Sequence, residues 1–126
     1  MSVLNKVLGV FIGNKYERDL KEMSPFADTV NKEYEKLESL TNDDLRSLTL
    51  KLREKVKDYI KEEEGQIEAL KAKAAGEEDV IVKESYFEEV DKIEDKIIDK
   101  LEIILDDLLP EAFALVKETA KRFKEN

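Results

Sequence analysis

The sequence predicts an all-α fold: a long antiparallel helical hairpin packed with a long N-terminal helix and a short C-terminal helix. Apolar residues recur every three or four positions along most of the chain, which is the spacing of one helix face. The 126 residues include only four glycines and two prolines, too few turn residues for an all-β fold. Charged residues make up 42% and aromatic residues 7%, a composition typical of long solvated helices in a single domain.

Residues 1–14 form an N-terminal amphipathic segment. Its apolar side carries Val3, Leu4, Val7, Leu8 and Phe11. The apolar run is too short for a signal peptide or a membrane span. Two hypotheses remain for this segment. It packs on the body of the protein, or it inserts reversibly at a membrane or membrane-protein surface, where Lys6 would be attracted to anionic headgroups.

Residues 15–56 form an N-terminal helical region. Apolar residues in four-three alternation run from Tyr16 to Leu37, and their phase does not change at Pro25. This pattern favours one helix kinked near Met23 over two separate helices. Thr41 then begins the first arm of the hairpin, because it is a good N-cap and is followed three residues later by the acid Asp44.

The hairpin itself runs from Asp43 to Leu108 and folds back at Ala75-Gly76. The apolar stripe of its first arm consists of Leu45, Leu48, Leu52, Val56, Tyr59, Ile67 and Leu70, with Glu63 as a weak point on the same face. The stripe of the second arm consists of Tyr86, Val90, Ile93, Ile97, Leu101, Ile104 and Leu108. A short turn makes each arm the natural antiparallel partner of the other.

The short C-terminal helix is expected to begin at Pro110, since proline is well tolerated at a first helical position. Its apolar stripe would contain Phe113, Val116, Ala120 and Phe123.

The net charge of −9 is concentrated in the hairpin, where residues 57–107 contain eight lysines and eighteen acids. A surface this acidic repels phosphate backbones, so we expect no nucleic-acid partner. The simplest interpretation of the acidic run is a solvated helix face. The alternative is a docking surface for a basic partner.

Several kinds of chemistry are excluded by composition. There is no cysteine and no histidine, which excludes disulfides, thiolate and histidine metal sites, and histidine-based catalysis. The sequence contains neither an Asp-x-Asp-x-Asp-Gly calcium loop nor the phosphate-binding G-x-x-x-x-G-K-[ST]. We therefore expect no cofactor, no catalytic residue and no enzyme activity in this chain alone.

Three stretches, in order, resemble the N-terminus of the SecA family of bacterial preprotein translocase ATPases. Leu4-Asn-Lys-Val-Leu8 with Asp19-Leu-Lys21 is similar to the opening helix of that family. Leu40-Thr-Asn-Asp-Asp-Leu45, with Leu52-Arg53 and Val56, is similar to its Leu-Ser-Asp-Glu-Glu-Leu run. The most specific stretch is Asp107-Leu-Leu-Pro-Glu-Ala-Phe-Ala114 with Val116-Lys117 and Lys121-Arg122, which is close to the family's Leu-Pro-Glu-Ala-Phe-Ala-x-Val-Arg.

The resemblance implies that the chain is the N-terminal part of a longer cytosolic ATPase. That motor would act at the inner face of the cell membrane, bind the SecYEG channel and anionic lipid, and push unfolded preproteins through the channel. ATP and Mg²⁺ would bind to parts of the motor outside this chain. Residues 57–104 would be an acidic insertion that compact family members lack, and residues 105–126 would lead into the nucleotide-binding domain.

The resemblance also implies two groups of contact residues. Membrane or channel contacts would be made by Val3, Leu4, Lys6, Val7, Leu8 and Phe11. Packing on the nucleotide-binding domain would be provided by Leu109, Pro110, Glu111, Ala112 and Phe113. Exposed apolar faces would also favour self-association.

Two other functions remain open at this point. The chain is a stand-alone acidic helical adaptor whose hairpin docks a partner, or it is a peripheral membrane-binding module that works through residues 2–12.

Overall fold

The computed structural model describes residues 3–12 and 15–126 of the chain, and every element within these ranges is α-helical. Helix α1 spans Val3–Ile12, α2 spans Lys15–Glu35, α3 spans Asn42–Gly76 and α4 spans Val80–Glu125. The predicted all-α class is confirmed. At 1.5 Å per residue, α3 is about 52 Å long and α4 about 69 Å long. None of the described helices combines the length and the apolarity needed to cross a membrane.

Helices α3 and α4 form the predicted hairpin, and local sequence sets its ends. The Thr41 hydroxyl accepts a hydrogen bond from the Asp44 N–H at 3.1 Å, and the Asp44 carboxylate accepts one from the Thr41 N–H at 3.0 Å. Hydrogen bonds from the Thr41 hydroxyl and N–H lower the pKa of Asp44. At the turn α3 ends at Gly76, and Asp79 caps α4 by accepting a 2.9 Å hydrogen bond from the Ile81 N–H.

The two arms run antiparallel along their length. Ion pairs join Lys55 to Glu111 at 3.4 Å and Lys71 to Glu94 at 4.0 Å, so partner numbers fall along α4 as they rise along α3. All seven residues of the predicted α4 stripe are buried or half-buried. On α3 the stripe is shifted slightly from the prediction, because Ile60 and Ala74 are buried whereas Tyr59 is exposed.

The predicted short C-terminal helix is wrong, because α4 continues through Pro110 without interruption. A proline inside a helix lacks the N–H that would bond to the carbonyl four residues earlier, here that of Asp106. The helix nevertheless persists because residues on both sides of the proline pack on the same partner. Leu108 lies on the α3 side before it, and Leu115 belongs to the core formed with α2 and α3 after it.

Helix α2 is a single helix with Pro25 inside it, as the apolar phase predicted. It ends at Glu35, and residues 36–39 form a turn that leads to α3. The Leu37 N–H donates to the Tyr34 carbonyl at 2.9 Å, and the Leu40 N–H donates to the Leu37 carbonyl at 3.1 Å. Helix α2 then packs on the C-terminal part of α4.

The boundaries of the predicted insertion, residues 57–104, fall inside helices. Both α3 and α4 continue across these positions, so the insertion would lengthen two existing helices rather than add a separate unit. The predicted segments 1–14, 15–56, 57–104 and 105–126 stay predictions.

Candidate functional site

The three longest helices meet in one small core near the C-terminal end of α4. Ala114 is 0% exposed and lies between Leu37, from the turn after α2, and Leu45 of α3. The residues packed around them are Val30, Tyr34, Leu40, Leu48 and Leu115. This core is called the base below, and Leu40, Leu45 and Ala114 within it belong to the second and third stretches that carry the family resemblance.

Arg122 closes the base by binding the turn between α2 and α3. Its guanidinium donates to the Leu40 carbonyl at 2.6 Å and to the Leu37 carbonyl at 3.3 Å. It also donates to the Asn42 side chain at 2.8 Å and to the Glu118 carboxylate at 2.7 Å. Glu118 is only 3% exposed, and the hydrogen bond from Arg122 lowers its pKa. A planar cation with several donors is well suited to join these groups.

Lysines of α4 attach α2 to the base through Tyr34. The Lys117 ammonium lies 4.1 Å from the centre of the Tyr34 ring and donates to the Asn31 side chain at 3.1 Å. The Lys121 ammonium pairs with Glu38 at 3.3 Å. Hydrogen bonds to Tyr34 and then to Glu38 raise the pKa of Lys121. The basic residues of the third stretch therefore act within the base.

One side of the base is apolar and exposed. Leu109, Phe113, Val116 and Phe123 recur at spacings of four, three and seven along one side of α4, and all four are exposed, Val116 at 66% and Phe123 at 80%. We call these four residues the base face. Beside them lies a groove of about 530 Å³, lined on its α3 side by Thr49, Leu52 and Arg53. Together they form an exposed apolar surface of the kind that marks an interaction site.

The residues predicted to pack on a nucleotide-binding domain divide between this face and the bundle. Leu109 and Phe113 are exposed, while Pro110, Glu111 and Ala112 are half-buried. The Glu111 carboxylate pairs with Lys55 of α3 at 3.4 Å. The Phe113 ring also meets Phe26 of α2 edge to face, with 5.6 Å between ring centres. The structure therefore directs Glu111 toward α3 and leaves Leu109 and much of Phe113 accessible.

The predicted membrane or channel contacts lie on α1. The side chains of Val3, Lys6, Val7 and Leu8 are exposed. The side chains of Leu4 and Phe11 lie outside the described part of the structure.

Sequence reasoning missed the role of Glu63. Its side chain is buried in the hairpin, 1% exposed, and accepts hydrogen bonds from Lys100 at 2.9 and 3.0 Å. Lys96 lies 2.9 Å from the same carboxylate, and Lys100 also lies 4.9 Å from the centre of the Tyr59 ring. The hydrogen bonds from Lys100 and Lys96 lower the pKa of Glu63 to about 2. The sequence features that indicate this site are a carboxylate on the apolar stripe of one arm and two lysines one turn apart on the other arm.

Within residues 3–12 and 15–126, no group of three or more acidic, cysteine or histidine side chains is arranged to hold a metal ion. What the described residues do present is a rigid base with an exposed apolar side.

Comparisons with known proteins agree with the sequence resemblance. Residues 8–126 match the model of the SecA DEAD-like domain. The chain is 45% identical over 122 residues to the protein translocase subunit SecA of Porphyromonas gingivalis, an alignment that covers 97% of this chain and 11% of that protein. It is 40% identical over 126 residues to the protein of the same name from Christiangramia forsetii, covering the whole chain and 11% of the relative.

A third relative, the protein translocase subunit SecA of Parabacteroides distasonis, is 42% identical over 122 residues, with coverage of 97% and 11%. The chain thus spans about 11% of the length of the curated relatives that it matches. No solved structure matches this one. Since the family model covers nearly all of the sequence, the chain belongs to the SecA DEAD-like domain family.

Proposed function

We propose that the chain is the N-terminal part of an ATP-driven motor that moves preproteins through the SecYEG channel. Within that motor it acts as a non-catalytic helical scaffold. The relatives that it matches at 40–47% identity are named protein translocase subunit SecA, and the match runs through nearly the whole chain. ATP and Mg²⁺ bind outside this chain, since its sequence has no phosphate-binding G-x-x-x-x-G-K-[ST].

The observation that carries the scaffold role is the base face. Val116 and Phe123 are large apolar residues exposed on a helix whose opposite side is fixed by Ala114, Glu118 and Arg122. A helix whose opposite side is already packed has little conformational freedom left to lose on docking. More of the free energy of burying its apolar side therefore appears as binding affinity. The occupant we propose is the nucleotide-binding domain of the same motor, with Leu109 and Phe113 at the start of the contact.

A second contact is proposed for α1. Val3, Val7 and Leu8 are exposed apolar residues on a ten-residue helix, and Lys6 lies among them. Such a helix suits reversible binding to the channel or to anionic lipid, and Leu4 and Phe11 would belong to the same contact. The motor would then be cytosolic and peripheral at the inner face of the cell membrane.

The scaffold role is tested by replacing both Val116 and Phe123 with serine in the whole protein. The readout is ATP-driven transport of a preprotein into vesicles that contain SecYEG. We expect transport to fall at least about tenfold, because exposed apolar anchors at the centre of an interface commonly contribute this much. Both residues are exposed here, so the helices themselves should keep their circular dichroism.

The matched control is Ile103→Ser, which removes an exposed isoleucine elsewhere on α4 and should leave transport within about twofold. Full transport by the double variant would contradict the scaffold role of the base face. A wild-type protein that transports no preprotein would contradict the motor assignment itself.

A further inference from the structure

A second apolar surface lies on the hairpin half of α4, N-terminal to the base face and in line with it along the helix. Val80, Phe87, Ile98 and Leu105 are all exposed, and we call them the hairpin seam. Their spacings are seven, eleven and seven residues, each close to a whole number of helical turns. The four side chains therefore share one line along the helix, about 38 Å from Val80 to Leu105 at 1.5 Å per residue.

The seam is distinct from the side of α4 that packs on α3. That buried side carries Val90, Ile97, Leu101 and Ile104. The ring and hydrogen-bond contacts of helix α2 are with Phe113, Lys117 and Lys121, which lie nearer the C-terminus than the seam. Within residues 3–12 and 15–126, these four large apolar side chains remain exposed.

Most charges beside the seam are negative, although Lys83 lies one turn from both Val80 and Phe87. Exposed carboxylates border it at Glu84, Asp91, Glu94, Asp95 and Glu102. Among them only Glu94 has an ion pair with another described residue, the 4.0 Å contact with Lys71. The lysines nearest Ile98 are engaged elsewhere, because Lys96 and Lys100 both turn to Glu63 on the α3 side.

This pattern selects one kind of occupant. A second copy of the seam would place carboxylates against carboxylates, which is unfavourable. An anionic membrane surface would be repelled for the same reason. A helix with apolar residues every three or four positions and lysine or arginine beside them would match both the apolar line and the acidic border.

We propose that the hairpin seam is a docking site for a basic amphipathic helix of another protein. Asp91 and Glu94 stand in the gap between Phe87 and Ile98, so the partner carries a lysine or arginine at that level of its own apolar stripe. The acidic hairpin then has two tasks on two different sides of α4. Its inner side binds α3, and its outer side binds the partner.

The test uses two synthetic helical peptides of about 26 residues, the length of the stretch from Val80 to Leu105. Both have leucine at the a and d positions of each heptad. One has lysine at the flanking positions, and the other has glutamate there. Binding of each peptide to the intact protein is measured by calorimetry at low and at high salt.

We expect the lysine peptide to bind at least about tenfold more tightly than the glutamate peptide, with the difference shrinking at high salt. Replacing both Ile98 and Leu105 with serine should weaken the lysine peptide at least about tenfold. The control is Ile103→Ser, which removes an isoleucine that is 54% exposed, nearly the same as Ile98 at 55% and Leu105 at 52%. Ile103 lies roughly 140° around the helix from Ile98, so this variant should bind within about twofold of wild type.

Two results would overturn the proposal. One is equal affinity of the seam variant and the Ile103 variant for the lysine peptide, which would mean that the peptide does not recognise the apolar line. The other is a self-association of the protein that the seam variant abolishes, which would mean that a second copy occupies the seam.

Discussion

Glu63 on α3 and Lys100 on α4 are joined by two hydrogen bonds of 2.9 and 3.0 Å inside the hairpin. The apolar stripes of both arms repeat every three or four residues, so a slip by one turn would preserve much of the apolar contact. It would not preserve the pairing of Glu63 with Lys96 and Lys100. A buried carboxylate without its cations is strongly unfavourable, so these residues favour a single register of the two arms.

Replacing Glu63 with alanine should therefore lower the melting temperature by several degrees, more than replacement of its exposed neighbour Glu64 with alanine. The variant removes the shared partner of two lysines and leaves a gap between the arms. Thermal unfolding followed by circular dichroism provides the comparison. Equal melting temperatures for the two variants would contradict the role assigned to Glu63.

The same carboxylate predicts a dependence of stability on pH. Hydrogen bonds from Lys100 and Lys96 lower the pKa of Glu63 from its ordinary value of 4.5 to about 2. A group with a lowered folded-state pKa stabilises the fold above its unfolded-state pKa and loses this effect as the pH falls through the folded value. The contribution of Glu63 should be complete above about pH 5 and lost between about pH 4.5 and 2.

This window is measured by comparing wild type with Glu63→Gln from pH 6 to pH 2. The difference in melting temperature between them should narrow as the pH falls, since the wild-type carboxylate becomes protonated. A difference that stays constant down to pH 2 would show that the ion pairs contribute nothing specific.

Arg122→Leu should destabilise the base. The variant removes the donors to the Leu37 and Leu40 carbonyls and leaves Glu118 buried without its cation. We expect a loss of about 3 kcal/mol in the free energy of unfolding, the lower end of the range for removing one partner of a buried ion pair. Urea unfolding measures the change. Lys124→Leu, at an exposed position two residues later, is the control and should change stability by less than about 0.5 kcal/mol.

Local signals in the sequence were sufficient for the ends of the hairpin. The Thr41 and Asp44 pair caps α3, and α3 ends at Gly76 as the predicted turn at Ala75-Gly76 requires. The continuity of α4 through Pro110 was not predictable in this way. The intrinsic preference of proline favours a helix start, and only packing on both sides of the proline, against helices distant in sequence, overrides that preference.

The base face and the Glu63 site show a second limit of sequence reasoning. Phe113, Val116 and Phe123 have the same periodicity as the buried stripes, and periodicity alone does not say which of two stripes on one helix is covered. That choice depends on where α2 packs, which places Ala114 inside and Val116 outside. Glu63 likewise interrupts the predicted apolar stripe. Its role is not evident from neighbouring residues, because its partner Lys100 lies 37 positions further along the chain.

Docking of the base face is measured most directly by the accessibility of Val116 in the whole protein. Val116→Cys and Ile103→Cys variants are treated with a maleimide, and labelling of each cysteine is followed by mass spectrometry. Both positions are exposed in this chain, and the chain has no cysteine of its own. If the base face docks on the nucleotide-binding domain, Cys labelling at position 116 should be at least about tenfold slower than at position 103. Equal labelling rates at the two positions would contradict docking of the base face.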